Sequence, residues 1–193
     1  MTTIDSWLFK ELNLGIIKAD KSKVDTLGHY AKAFREIIDV AAMDRKDITA
    51  TKKLLEETGT TLYRGTGLTQ QELHTYQALV GKVVRDYDGK LKGKLTAGYM
   101  ALTGFTSTSM KRPAAESFAW SNEDSGHQAT LFQIIWKTNG GYFLMDMSAF
   151  PDEEEVLLFD GTRFEVVSVQ SDVKNGKPFH VIVLKCDFYG CKV

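Results

Sequence analysis

Three groups of residues in this chain could act together on one substrate. The first is Arg64 in LYRGTG, a short β-like run closed by glycines. An arginine among apolar and small strand residues needs an anionic partner if its head turns inward. That partner is a carboxylate in an ordinary ion pair, or a phosphate gripped by the planar fork. Gly65 beside it would let a flat ligand come close to the backbone. The second group is Ser107-Thr108-Ser109, preceded by Phe105 and Thr106. On a strand, Ser107 and Ser109 share one face and Thr108 takes the other. Buried hydroxyls must find partners, so this is either a polar edge strand or a means of holding a carboxylate in one rotamer. The third group is Phe150-Pro151-Asp152-Glu153-Glu154-Glu155, running into Val156-Leu157-Leu158. On an extended backbone Glu153 and Glu155 face one way and Glu154 the other. Two carboxylates on one side can divide labour, one stabilising developing positive charge and one accepting a proton. Phe150 would offer a flat surface to a planar substrate group.

Other chemistries find little support. Gly65-Thr66-Gly67 lacks the third glycine of a dinucleotide loop and a Walker lysine. Asp86, Asp88 and Gly89 lack the spacing and closing glutamate of a calcium loop. His29, His74, His127 and His180 are scattered and read as surface or packing residues, so no metal is expected. No G-x-S-x-G elbow is present. Lys90, Lys92 and Lys94 read as a solvated strand face, too short a basic stretch for nucleic acid.

These groups need elements to position them. Val24, Leu27, Ala31, Phe34, Ile38 and Ala41 step along one helix face; Ile4, Trp7, Leu8 and Leu12 suggest a shorter helix before it. Asp47 can cap a third helix that stops at Gly59. TQQELHTYQALVG carries Thr69 and Glu72 at capping-box positions, with Gly81 as the stop. MALTGFTSTSM reads as one strand, and Pro113 opens a short helix through Trp120. From Thr130 onward the runs TLFQIIW, YFLMDM, EVLLF, RFEVVSV and HVIVLKC read as strands, separated by Asn139-Gly140-Gly141, Asp160-Gly161 and Asn175-Gly176. Helices first and strands later indicate an α+β protein, with a helical lobe over 1–60 and a β-rich core over 61–193, in one domain.

The bulk properties agree. A chain of 193 residues, 43% hydrophobic and 25% charged, folds without a staple and is neither disordered nor of low complexity. The formal charge of −1 gives no electrostatic case for nucleic acid or an anionic membrane as partner. No apolar run reaches the roughly 18–20 residues that span a bilayer, and Asp5, Lys10 and Glu11 interrupt any secretory h-region. The expectation is a monomer in the cytoplasm, or one exported or injected as an effector. Cys186 and Cys191 could pair or remain thiols.

Arg64, then Ser107-Thr108-Ser109, then Glu153-x-Glu155, in this order and spacing, resembles the R-S-E class of mono-ADP-ribosyltransferases. That class includes the clostridial binary-toxin enzymes and the vertebrate arginine-specific ectoenzymes. LYRG, FTSTS and the run from Ser148 to EEEVLL match in local context, over about residues 61–169. The resemblance implies two mostly antiparallel sheets in a sandwich-like core with a central NAD cleft. It implies cleavage of NAD at the nicotinamide–ribose bond and transfer of ADP-ribose to an arginine of a protein acceptor. By the family pattern Glu155 stabilises the cationic ribose, Arg64 binds the phosphates, Gly65 holds the nicotinamide amide through its backbone, and Ser107 orients Glu155. Thr108 and Ser109 would support the strand. Phe118 would pack near the nicotinamide or simply in the core. Glu153, two positions before Glu155, goes with arginine as acceptor; Phe150 would help receive it. Asp152-x-Glu154 is a rival carboxylate pair, disfavoured because Glu155 directly precedes Val-Leu-Leu. An NAD glycohydrolase, with water as acceptor, is the alternative reading, and a non-catalytic binding relic a third.

Overall fold

In the computed structural model the described residues are 59–81, 99–101, 106–121, 126–136, 141–144, 150–158 and 162–186. The expected N-terminal helices, Lys90–Lys94, Ser148 and Cys191 lie outside them. Eight strands and two helices make up the described part: β1 Thr60–Leu68, α1 Gln70–Leu79, β2 Tyr99–Ala101, β3 Thr106–Ser109, α2 Arg112–Ser121, β4 Gln128–Trp136, β5 Gly141–Phe143, β6 Glu155–Leu158, β7 Arg163–Lys174 and β8 Lys177–Cys186. Among the described residues no helix is long and apolar enough to cross a membrane.

Local signals set several boundaries as the residues require. Thr69 caps α1 and exchanges bonds with Glu72 in a complete capping box, and Gly81 takes a positive φ of 69° after the helix. Pro113 lies in the first turn of α2. Asn175 (φ 56°) and Gly176 (φ 75°) turn β7 tightly into β8, pairing Lys174 with Lys177.

The strands form one hydrogen-bonded order, β2-β7-β8-β4-β1-β3-β6-β5. All neighbours are antiparallel except β4 and β8, which run parallel. The α+β class and the mostly antiparallel pairing are as expected. The expected division into two sheets takes a different form, because the ladder is continuous. It narrows, however, to a single residue pair, Tyr63 with Ser109, between β1 and β3. That seam divides a five-strand side from a three-strand side. The run MALTGFTSTSM is two strands, not one: β2 pairs with β7 at one end of the order, and β3 lies beyond the seam.

Strand alternation splits the core between two faces. On one, Leu62, Ile134, Trp136, Val156, Leu158, Ile182 and Leu184 pack with Leu73 and Tyr76 of α1. On the other, Ala129, Leu131 and Phe179 meet Ala115 and Ala119 of α2. Small residues on α2 allow a close approach. A Cβ on Gly65 would come within 1.8 Å of the Ala115 carbonyl oxygen and 2.4 Å of the Ala119 nitrogen. The glycine is therefore required by the helix backbone lying against β1. On its Cβ side Gly65 therefore faces α2.

Candidate active site

Arg64 lies near the middle of β1, on the face it shares with Leu62 and α1, and pairs across to Phe132 of β4. Past Tyr63 the strands β1 and β3 part, and the guanidinium reaches over the seam. Its Nη1 donates to the Ser107 carbonyl oxygen at 2.9 Å. Burial pushes the Arg64 pKa down from its ordinary value, opposed by the nearby Tyr76 phenol. It stays a cation at any ordinary pH. Tyr76 is pushed up to about 12, by burial first and then by Glu72, while Arg64 pulls the other way. A neutral phenol thus lies beside the cation. Tyr76 carried no chemical signal in the sequence.

Beyond the seam, β3 and β6 pair in the register Ser107 with Leu157 and Ser109 with Glu155. Ser107 and Glu155 are therefore diagonal neighbours on one face. The Ser107 hydroxyl donates to Glu155 Oε1 in a short bond. Thr108 takes the opposite face, as strand alternation requires, and donates to the Val156 carbonyl oxygen at 2.6 Å. Glu155 is only 1% exposed. Burial pushes its carboxyl above the usual range; the Ser107 bond opposes that, and the like charge of Glu153 adds to it. Arg64, Ser107 and Glu155, separated widely in sequence, are thus joined in one hydrogen-bonded series.

The approach to Glu155 departs from the extended backbone expected. Pro151–Glu153 form one turn of 3-10 helix, and Glu154 takes a left-handed conformation at φ 47°, ψ 55°. The same-face argument for Glu153 and Glu155 fails as a strand argument, because a turn and a corner separate them. The like charge of Glu153 is nonetheless felt at the Glu155 carboxyl, where it adds to the upward push of burial. Three consecutive glutamates have three fates. Glu155 is buried on Ser107, Glu153 is half-buried in the turn, and Glu154 points away to an ion pair with Lys111 Nζ at 3.3 Å. The rival pair Asp152 and Glu154 is thereby disfavoured, since Asp152 is exposed and Glu154 is engaged elsewhere.

Phe150, at the start of the turn, is 55% exposed. Phe118 is half-buried on α2. Ser109 does more than support its strand: its hydroxyl donates to the Glu153 carbonyl oxygen at 2.5 Å and accepts from the Lys111 N–H at 2.8 Å. The shared face of Ser107 and Ser109 was the signal for this; nothing in the sequence marked Lys111. His180, read as a packing residue, is buried between Ser171 and Gln128, with its pKa lowered by burial. Among the described residues no cluster of histidine, cysteine and carboxylate side chains could hold a metal ion.

Comparisons with known proteins bear on the fold and the family. The Vis toxin, an ADP-ribosyltransferase from Vibrio splendidus, is 20% identical, with 96% of this chain and 70% of that one covered at a TM-score of 0.50. The ADP-ribosyltransferase HopU1 of Pseudomonas syringae is 22% identical over 67% of this chain and 48% of its own, at 0.45. C3stau2 from S. aureus, solved with NAD, is 19% identical over 74% and 73%, at 0.38. At these identities the likeness concerns the fold, and the first match carries it. A search of curated proteins finds no match. The family model described as ADP-ribosyltransferase exoenzyme, however, matches residues 33–185, a span that holds every residue of the Arg64–Ser107–Glu155 series, and by that match the chain belongs to the ADP-ribosyltransferase exoenzyme family.

Proposed function

We propose that this chain is an NAD-dependent mono-ADP-ribosyltransferase that transfers ADP-ribose to an arginine side chain of a protein, with release of nicotinamide. The observation that carries the reading is the linked series in which Arg64 holds the Ser107 carbonyl and the Ser107 hydroxyl holds Glu155. A fixed cation and a fixed carboxylate stand on either side of one serine. Those residues fit NAD, whose phosphates are anionic and whose ribose becomes positive as nicotinamide leaves.

Each side chain has a role set by its surroundings. Arg64 spends one donor of its fork on Ser107, and its other N–H groups suit phosphate oxygens. Glu155 in its ionised form is aligned by Ser107, so little reorganisation is needed when positive charge develops beside it. Burial makes the carboxylate both more basic and more effective, because charges interact more strongly in a low dielectric. Glu153 faces the acceptor. A guanidinium must shed a proton as its nitrogen bonds to the ribose carbon and the bond to nicotinamide breaks; Glu153 attracts the cation and takes that proton. Phe150, standing out in solvent at the start of the turn, gives the planar acceptor a surface.

The test is Glu153→Gln, assayed for nicotinamide release and for labelling of a guanidino acceptor. Labelling is expected to be lost while release continues. Equal loss of both activities would count against separate roles. Release with no labelling by the unaltered chain would favour the glycohydrolase, in which water takes the acceptor's place.

A further inference from the structure

We propose that the exit of β3, Ser109-Met110-Lys111, is the positioning device for Glu153, and that it governs acceptor transfer separately from NAD cleavage. The inference rests on the proposed function for the roles of the two glutamates. Its structural half stands on contacts alone.

Residues 150–154 lie outside the strand ladders, so the turn must be held by other means. Within it, Glu153 N–H donates to the Phe150 carbonyl at 3.0 Å and Glu154 N–H to the Pro151 carbonyl at 3.1 Å. From outside, three successive residues of β3 and its exit grip it. The Ser109 hydroxyl donates to the Glu153 carbonyl at 2.5 Å, Met110 N–H donates to the Glu154 carbonyl at 3.2 Å, and Lys111 Nζ pairs with Glu154 Oε1 at 3.3 Å. The Ser109 oxygen also accepts from Lys111 N–H at 2.8 Å, which fixes the serine and ties the exit to itself.

The grip centres on a corner that is unfavourable by itself. Glu154 is left-handed without being glycine, a conformation that persists where surrounding contacts enforce it. The corner decides how Glu153 is offset from Glu155. Ser107 and Ser109, on one face of β3, therefore hold one glutamate each. Ser107 acts on the Glu155 side chain, and Ser109 acts on the Glu153 backbone. Because Glu155 has its own tie, loosening the corner leaves donor cleavage served and displaces the acceptor carboxylate. Lys111 adds a second effect. By engaging Glu154 it keeps that carboxylate from competing with Glu153 for an incoming guanidinium.

The experiment uses the full chain and three variants: Ser109→Ala, Lys111→Gln, and the charge swap Lys111→Glu with Glu154→Lys. Nicotinamide release without acceptor, transfer to agmatine as a small guanidine, and hydrogen exchange of the peptide over 150–158 are measured for each. Ser109→Ala is expected to lower kcat for transfer about tenfold, with release within about twofold of the parent. Lys111→Gln should lower transfer about threefold, the smaller effect of a half-exposed ion pair, and the swap should recover part of it. Both single variants should speed exchange in the turn. Transfer and release falling in parallel would overturn the proposal, and so would unaltered exchange in Ser109→Ala. A parent chain that neither cleaves NAD nor transfers would remove the acceptor role together with the proposed function, leaving exchange to decide whether the corner is pinned.

Discussion

The two sides of the Tyr63–Ser109 seam hold their functional groups by different physics. On the five-strand side, β1 pairs with β4 along all nine of its residues, and β4 pairs with β8 over most of its length. Arg64 is embedded there in long backbone ladders between two apolar faces. On the three-strand side, β3 and β6 have four residues each and β5 has three. There the buried residues include Thr106, Ser107, Thr108, Ser109 and Glu155. Side-chain hydroxyls replace ladder length as the positioning force. The Arg64 backbone is therefore held by long ladders, with its head on one hydrogen bond to Ser107, whereas the Glu155 side chain and the Glu153 backbone are held by single serine hydroxyls. Substitutions among the packed residues of the long side should register first in stability, and those on the short side, together with the Arg64 head that reaches across to it, first in chemistry.

The sharpest test of that division is Glu155→Gln. It should lower nicotinamide release by at least two orders of magnitude, about 2.7 kcal/mol or more of transition-state stabilisation, as a single-turnover assay would read. Stability should not fall with it. A carboxyl whose folded pKa is raised loses stability as pH climbs from its unfolded pKa through the folded one, and above that window the burden is fully present. An amide that never ionises removes the burden, so the melting temperature at neutral pH should be unchanged or higher. Near-normal turnover would mean that another carboxylate does the work.

Arg64→Lys comes next. An ammonium keeps the charge but loses the fork that meets Ser107 and phosphate together. KM for NAD should rise about 10- to 100-fold, the range for a lost hydrogen bond to a charged group. If KM is unchanged, the cation faces something other than the dinucleotide. Gly65→Ala tests the long side directly. With Ala115 and Ala119 backbone atoms in the way, α2 or β1 must shift, at about 1–3 kcal/mol of stability by the usual cost of overpacking. Thermal unfolding would measure it. An alanine variant as stable as its parent would show that α2 does not press on this strand.

What the sequence disclosed follows the same seam. Arg64 on a glycine-flanked strand, the Thr69–Glu72 capping box and the Asn175-Gly176 turn are local signals, complete within a few residues, and the structure realises them. The Ser107–Glu155 pairing was implied by the family resemblance, while alternation gave only that Ser107 and Ser109 share a face. The turn at Glu153 was not legible. A proline followed by carboxylates and then Val-Leu-Leu reads as a continuous entry into a strand, yet Glu154 adopts a left-handed corner where Met110 and Lys111, at the exit of β3 and 44 residues or so upstream, grip its carbonyl and side chain. Gly65 has a packing requirement that was hidden for a related reason. Glycines beside an arginine suggest a ligand, but the backbone that needs the space arrives with α2, some 50 residues later. The division of MALTGFTSTSM between β2 and β3 is likewise set by partners, which periodicity along one strand does not encode.

The smallest effect expected is a shift in the acid limb of the rate profile, and it distinguishes the two short-side contacts by sign. Glu155 must be ionised to stabilise positive charge, so kcat/KM for nicotinamide release falls as pH drops through its pKa, which lies above the ordinary carboxylate range. The Ser107 hydroxyl favours the ionised form. Removing it in Ser107→Ala leaves burial less opposed and moves the limb to higher pH. The charge of Glu153 disfavours the ionised form, so Glu153→Gln moves the limb to lower pH. The two shifts should have opposite directions in the same assay, whatever their sizes. General loosening of the three-strand side would expose Glu155 to water and lower its pKa in both variants, giving shifts of one sign. Opposite signs require that Ser107 and Glu153 act on the Glu155 carboxylate individually, which is what positioning by single hydrogen bonds and charges means on this side of the seam.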